Sequence, residues 1–410
     1  MRILTITADF PPYHSGGYGI RIKNIMDGLF ARGDEIMILT TKAEGLKLDK
    51  TIGTSYPIYR VLHNHYTAKF FPKEIFFDIQ DINALDQVIR EFKPDLIYSG
   101  HIYPLTKQLL PYLSTLDIPI VCDEGGNSLK GAWTDHGRWF RLLNDFKFSN
   151  KFLNTLIPVF KKIVLWISRG KLITNWTWPE SMAIIFNSNL NFKNAAQFGV
   201  PVQNARVIHS GVDLNKFSFR PRPAISTPIR IIIPGRIEQK KGQIDGVRLI
   251  NELHMHGIEA ELIITGSCSD SIYAMQIEEE IKKMGLQRDI VFQNMVSQEE
   301  IAALYQQCDV CFFSSYHQSG FSRVPLEAMA CGCIVTSYGN EGSDEIIKNE
   351  ENGFLIAPGD IWAVAELVTR LVKEDYLVAR IIKNARDCIE INYSLPVYIS
   401  QIEEFVKQSL

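Results

Sequence analysis

The 410-residue chain lacks an apolar run of the ~20 residues that a membrane-spanning helix needs. Its nearest candidate, Leu156 to Ile167, carries Lys161 and Lys162 in its middle. No charge of one sign dominates: 43 Lys and Arg against 46 Asp and Glu leave −3, which does not suit a chain built to coat nucleic acid. Seven scattered cysteines, an odd number, make no disulfide framework. The first residues, MRILTITADFPP, lack the basic start, apolar stretch and cleavage site of a signal peptide, so the chain reads as cytoplasmic. The Gly-x-Gly-x-x-Gly dinucleotide fingerprint is missing, and the second strand ends in Thr40-Thr41 where an acid would hold a ribose. Both absences argue against a nicotinamide dehydrogenase. No Asp-x-Asp triplet sits in a loop suited to a metal-bound diphosphate, and no short repeat or low-complexity tract is visible.

What is present is an alternation of strand-like and helical runs, which implies parallel sheets covered by helices. Strands are expected at Ile3–Thr7, Glu35–Thr40, Tyr59–His63, Leu96–Ser99 and Ile118–Cys122, with a helix from Arg21 to Ala31. The rhythm resumes with Ile229–Ile233, Glu261–Thr265, Ile290–Gln293, Val310–Ser314 and Cys333–Ser337. Between the two series, Gly211–Thr227 holds Pro221 and Pro223, with Pro228 just beyond, and reads as a linker. At about 150 residues per domain the length allows two or three. Cys308-x2-Cys311 with Cys331-x-Cys333 has enough thiols for zinc. They lie in the runs CDVCFFSS and AMACGCIVTS, however, and read better as small buried residues.

One stretch departs from the average. Residues 129–172 hold nine Lys or Arg against two Asp, with eight aromatics interleaved. They form either a solvated helical cover with its aromatics facing inward, or a cationic aromatic surface for an anionic acceptor or a membrane face.

The chemistry-bearing residues follow strand ends. Gly235-Arg236 closes one strand, and Lys241-Gly242 opens the next helix. Two cations beside a helix N-terminus suit a diphosphate. Further on, Gly320 and Phe321 offer backbone N–H groups, Glu327 could accept the two hydroxyls of a ribose, and Glu345 reads as a cap. In the first half, Gly16-Gly17 stands at a strand-to-helix junction fit for close approach to an anion.

Together these segments resemble the retaining glycosyltransferases of family 4. The resemblance rests on PPYHSGGYG, RVIHSGVDLNKF, PGRIEQKKG, FQNMV and GFSRVPLEAMACGCIVTSYGNEGSDEIIKNEENGFLI, and covers nearly the whole chain. It implies an α/β fold of two Rossmann-like domains facing across a cleft, the GT-B arrangement. Residues 1–210 would form the acceptor-binding domain and 211–389 the nucleotide-sugar-binding domain, with a helix at about 390–410 packing back onto the first. It further implies that Arg236 and Lys241 bind the donor diphosphate, that Gly16 and Gly17 approach it from the other domain, and that Glu327 holds the ribose. Gly320 and Phe321 would contact the sugar, and Val296 would lie near the nucleobase. Two positions depart from the family pattern. Ser319 replaces a glutamate that addresses the transferred sugar; it either suits a donor lacking a hydroxyl there or weakens catalysis. The end of the strand near Cys122 has Asp123-Glu124 where relatives carry a histidine, so Asp123, Glu124 or His101 would take its place, Asp123 being placed in the catalytic set.

The resemblance thus implies transfer from a nucleotide-diphosphate sugar, used as co-substrate, to an acceptor hydroxyl on a small molecule, glycan or lipid carrier. No metal, no other cofactor and no nucleic acid is expected. Sugar epimerisation, glycoside phosphorolysis or binding without turnover are the rival readings. Conversion of donor alone, dependence on acceptor, or neither would separate them.

Overall fold

Parallel strands buried on both faces are written as near-continuous apolar runs, and the computed structural model follows that rule. It describes residues 1–13, 17–42, 55–68, 71–126, 129, 131, 137–144, 151–174, 182–225, 227–318 and 320–410. The chain divides into two units, Met1–Ile208 with Ile399–Leu410, and His209–Tyr398.

Among the described residues, the first unit holds a seven-stranded sheet ordered β3 (Ile58–Leu62), β2 (Glu35–Thr41), β1 (Arg2–Thr7), β4 (Leu96–Gly100), β5 (Ile120–Glu124), β6 (Ala183–Phe186), β7 (Ala205–Val207). The second holds six strands, ordered β10 (Ile290–Gln293), β9 (Ala260–Thr265), β8 (Ile229–Pro234), β11 (Val310–Phe313), β12 (Ile334–Ser337), β13 (Phe354–Leu355). All these neighbours pair in parallel. In each sheet the chain winds outward one way and then returns to wind the other, so the order reverses at β1/β4 and at β8/β11. Leu4, Ile6, Leu39, Ile97 and Phe186 centre the first core, and Ile231, Ile233, Leu262, Ile264 and Phe312 the second.

Three differences from the sequence reading bear on function. The first helix starts at Gly17, four residues before Arg21. Strand β5 runs two residues past Cys122, so Asp123 and Glu124 lie inside it, 3% and 2% exposed. The stretch Gly211–Thr227 is no free linker: Val212 and Phe217 join the second unit's core, and Arg222 donates to the carbonyls of Gly332 and Gln306.

The C-terminal region is two helices, Asp375–Asn392 and Leu395–Gln408. From Ile399 onward it belongs to the first unit, where Ile399 packs so closely on Gly28 that any side chain there would lie 2.7 Å from it. Of the seven cysteines, Cys122, Cys308, Cys311, Cys331 and Cys333 are buried, Cys388 is half-buried and Cys268 is exposed. Burial pushes Cys311 and Cys333 well up, which keeps them as thiols.

Helix Phe71–Phe92 turns three acids inward: Glu74, Asp78 and Asp81 are 3%, 2% and 0% exposed. Each is partnered, Glu74 by Arg138, Asp78 by Trp139 Nε1 at 2.8 Å, and Asp81 by His63 Nδ1 at 2.6 Å and Thr106 Oγ1 at 2.9 Å. Burial nevertheless dominates at Asp78 and pushes its carboxyl up to about 8. Helix Lys151–Ile167 does the reverse. It buries Val164 and leaves Leu156, Val159, Ile163, Trp166 and Ile167 exposed.

Candidate active site

Ligands of open α/β sheets sit outside strand carboxyl ends, where the strand order reverses. In the second unit that place lies between β8 and β11, and the loops there are drawn together by glycines. Gly266 has φ 149, and a Cβ on it would lie 2.1 Å from the Gly235 carbonyl oxygen. Gly242, at φ 66, caps helix Gln243–Met255; a Cβ there would lie 2.3 Å from the Ser314 carbonyl oxygen. Only glycine permits both crossings. The Gly235 and Ile237 amides donate to Thr265 and Ser267 carbonyls at 2.9 Å each, Tyr316 N donates to Lys240 O at 2.8 Å, and Ser314 Oγ donates to Lys241 O at 3.0 Å. The loop after β9 also pairs Cys268 with Ile237. Tyr316 and Tyr338 both donate to Asp245 Oδ2, at 2.5 and 2.9 Å, fixing the helix beside these loops.

Arg236 and Lys241 both reach this edge, in different settings. The Arg236 side chain is 57% exposed and its Nη2 lies 3.3 Å from Glu238. The Lys241 side chain is largely buried, with Nζ 2.6 and 2.7 Å from the two carboxylate oxygens of Glu341. Beside them, burial pushes the His317 imidazole down, against the opposing pull of Glu341. Phe321, next to Gly320 (φ 92), lies 5.2 Å from the His209 ring, whose Nε2 pairs with Glu345 Oε2 at 2.8 Å. Glu345 therefore anchors His209, a partner its reading as a simple cap did not supply. Glu327 sits in the first turn of helix Val324–Cys331, 7% exposed. Burial raises its carboxyl, and Arg323 Nη1 at 3.4 Å acts in the opposite direction. Val296 follows β10, half-buried, just before the helix capped by Ser297. Arg236, Lys241, Gly320, Phe321, Glu327 and Val296 thus all follow carboxyl ends of one sheet. Ser319 and Gly16 lie outside the described residues.

In the first unit Gly17 stands exposed at the start of its helix. Arg60 is buried and donates to the carbonyls of Phe10 and Pro11, holding the loop before it. Asp123 is corrected by its setting. Its side chain is fully buried, pairs with Arg21 Nη2 at 2.6 Å and accepts from Tyr98 Oη at 2.6 Å. Tyr18 donates to its backbone carbonyl. The desolvation of an isolated carboxylate is answered by Arg21. Asp123 is an anchor for helix Gly17–Ala31, not a base open to an acceptor. Glu124, 2% exposed, likewise holds the local chain, accepting from the amides of Gly126 and Leu129. His101 remains at an open strand end. It has φ 43, sits 3.1 Å from Asp9 Oδ2 and lies against the Tyr18 ring with centroids 4.9 Å apart.

Sequence reasoning missed Glu341, His209, Arg21 and Asp9. His209 lay in a quoted motif without a role, and Glu341 was hidden in a glycine-flanked loop that advertises only flexibility. Among the described residues, no three His, Cys, Asp or Glu side chains are grouped to hold a metal ion.

Comparison with known proteins identifies the family. Residues 15–216 match the model described as Glycosyltransferase Family 4, and residues 215–387 match Glycosyl transferases group 1. An uncharacterized glycosyltransferase of Methanocaldococcus jannaschii is 23% identical over 96% of this chain and 95% of its own. The N-acetyl-alpha-D-glucosaminyl L-malate synthase of Bacillus anthracis is 28% identical over 95% of this chain and 93% of its own. Among solved structures, Anabaena HepE in complex with UDP superposes with TM-score 0.68 at 18% identity over the whole of both chains. Sucrose-phosphate synthase of Thermosynechococcus elongatus does so with TM-score 0.72 at 18% identity over 99% and 98%. With two family models meeting at residue 215 and two Rossmann-like domains of the GT-B fold, the chain belongs to the family 4 glycosyltransferases.

Proposed function

We propose that the enzyme is a retaining transferase that moves a sugar from a nucleotide-diphosphate sugar to an acceptor hydroxyl without a metal ion. The observation that carries this is the presence of both Arg236 and Lys241 in the loop at the carboxyl end of β8, leading into the N-terminus of helix Gln243–Met255, on the sheet whose β11 is followed by the helix that holds the buried Glu327. Fixed cations and aligned amides suit charge that grows on a departing diphosphate. The acceptor oxygen would bond to the anomeric carbon on the face from which the diphosphate leaves. The acceptor proton would pass to a leaving phosphate oxygen. That HepE was solved with UDP, and with UDP-glucose, supports a uridine nucleotide as the first donor to try.

The test is diphosphate release from a panel of nucleotide sugars, with and without acceptors, followed by the anomeric configuration of the product by NMR. Acceptor-dependent release with retained configuration is the expected result. Inverted product would overturn the stereochemistry, and conversion of donor alone would overturn transfer. Turnover is expected to survive EDTA; complete loss, restored by a divalent cation, would refute the metal-free reading.

The surface contact belongs to helix Lys151–Ile167. Its Val159, Ile163, Trp166 and Ile167 are 51%, 44%, 82% and 52% exposed. From Arg138 to Lys171 the sequence has eight Lys or Arg and a single acid, Asp145. Apolar side chains facing outward amid basic residues fit an anionic bilayer surface. Flotation with anionic but not zwitterionic vesicles, lost in Trp166→Ser with Val159→Ser, is the expected outcome. Equal binding to both kinds of vesicle, or binding to neither, refutes it.

A further inference from the structure

Glu341 is not accounted for by the fold. Its backbone has φ 52, a left-handed conformation that glycine adopts freely and other residues seldom do, and it sits between Gly339 and Gly342, both at φ 73. Yet this position carries a long acidic side chain, and the residue is 7% exposed. A strained, buried charge persists only where its surroundings hold it in place. Here three loops do so. Lys241, after β8, places Nζ 2.6 and 2.7 Å from its two oxygens. Ser322, after β11, donates its amide to the Glu341 carbonyl at 2.9 Å. Within its own loop after β12, Asn340 Nδ2 donates to the Ser315 carbonyl at 2.8 Å, and Gly342 lies directly under the Phe321 ring.

An ionised carboxylate accepts about four hydrogen bonds and donates none. Lys241 supplies a donor to each oxygen, which leaves acceptor capacity on both. What such a group attracts is hydroxyl donors, and what it repels is another anion. On the reading of this site as a donor site, the geometry points to Glu341 as the residue that receives hydroxyls of the transferred sugar, with Lys241 shared between it and the diphosphate. Glu341 then acts with opposite sign on the two parts of one ligand: it helps hold the sugar and weakens the hold on the diphosphate.

That opposition is the test. Isothermal titration of the full chain with UDP and UDP-glucose, then with GDP, ADP and their glucose esters, identifies the pair bound most tightly. In Glu341→Gln the glucose ester is expected to bind about tenfold more weakly, in line with loss of hydrogen bonds to a charged acceptor. The nucleoside diphosphate alone is expected to bind as well as before, or more tightly. A parallel change in both ligands, or none in either, overturns the assignment and leaves the donor site standing. A wild-type protein that binds no nucleoside diphosphate overturns the donor site as well. Should Glu341→Gln fail to fold by its thermal midpoint, Glu341→Asp, which keeps the charge and shortens its reach, must show the same divergence.

Discussion

Arg236 and Lys241 carry the same formal charge but differ in what they are tied to, so their removal should differ too. Arg236→Ala takes away an exposed side chain with one weak partner. Turnover should fall by ~10² or more through lost charge stabilisation, with the thermal midpoint unchanged. Lys241→Ala also strands Glu341, 7% exposed, without its cation. Stability should therefore fall with activity. Lys241→Met combined with Glu341→Gln should recover the midpoint but not the turnover; recovery of both would remove Lys241 from the site. Asp78 supplies a second test. Burial pushes it up to about 8, against roughly 3.9 in an unfolded chain. The folded form keeps its proton where the unfolded form has lost it, so this residue's stabilising contribution is full below about pH 4 and fades as pH rises towards 8. Denaturant midpoints at pH 5 and pH 9 should converge in Asp78→Asn relative to the parent. An unchanged gap would show that Asp78 does not titrate as described.

The loops at strand ends show what was legible in the sequence and what was not. Strand alternation, the cation pair around Gly235–Gly242 and the Gly320–Glu327 segment could be read because periodicity and glycine punctuation are local signals. The end of β5 could not. Asp and Glu are poor strand residues, so Asp123-Glu124 reads as a loop until Arg21, about a hundred residues earlier in the chain, is brought to 2.6 Å. Nor could the setting of Lys241 be read, since Glu341 meets it only through a turn 100 residues later. The crossing of the loops after β8 and β9 gives an element-scale prediction. Gly266→Ala places a Cβ 2.1 Å from a backbone oxygen at φ 149. It should destabilise by ~2 kcal/mol or more and weaken nucleotide binding. Gly257→Ala, at φ 75 with nothing within 4 Å of the added carbon, should lose only about 1 kcal/mol. Equal losses by urea titration would show that the crossing is not tight.

Across the whole chain, each unit has a sheet and a core of its own. Two-state unfolding is then not the expectation. Calorimetry should give a total enthalpy larger than the van't Hoff value, and on the proposed donor site nucleoside diphosphate should raise the transition of the second unit, because a ligand that binds only the folded state stabilises it. A single transition with matching enthalpies would show that the cores melt together. The distribution of sulfur lends itself to a direct measurement. Five of the seven cysteines are buried and Cys388 is half-buried, which leaves Cys268 as the one exposed thiol in the sequence. It pairs with Ile237, the residue after Arg236. A small environment-sensitive maleimide dye should therefore label the unmodified chain chiefly at this loop, and on the proposed donor site its emission should change when nucleotide sugar is added, with no engineered cysteine.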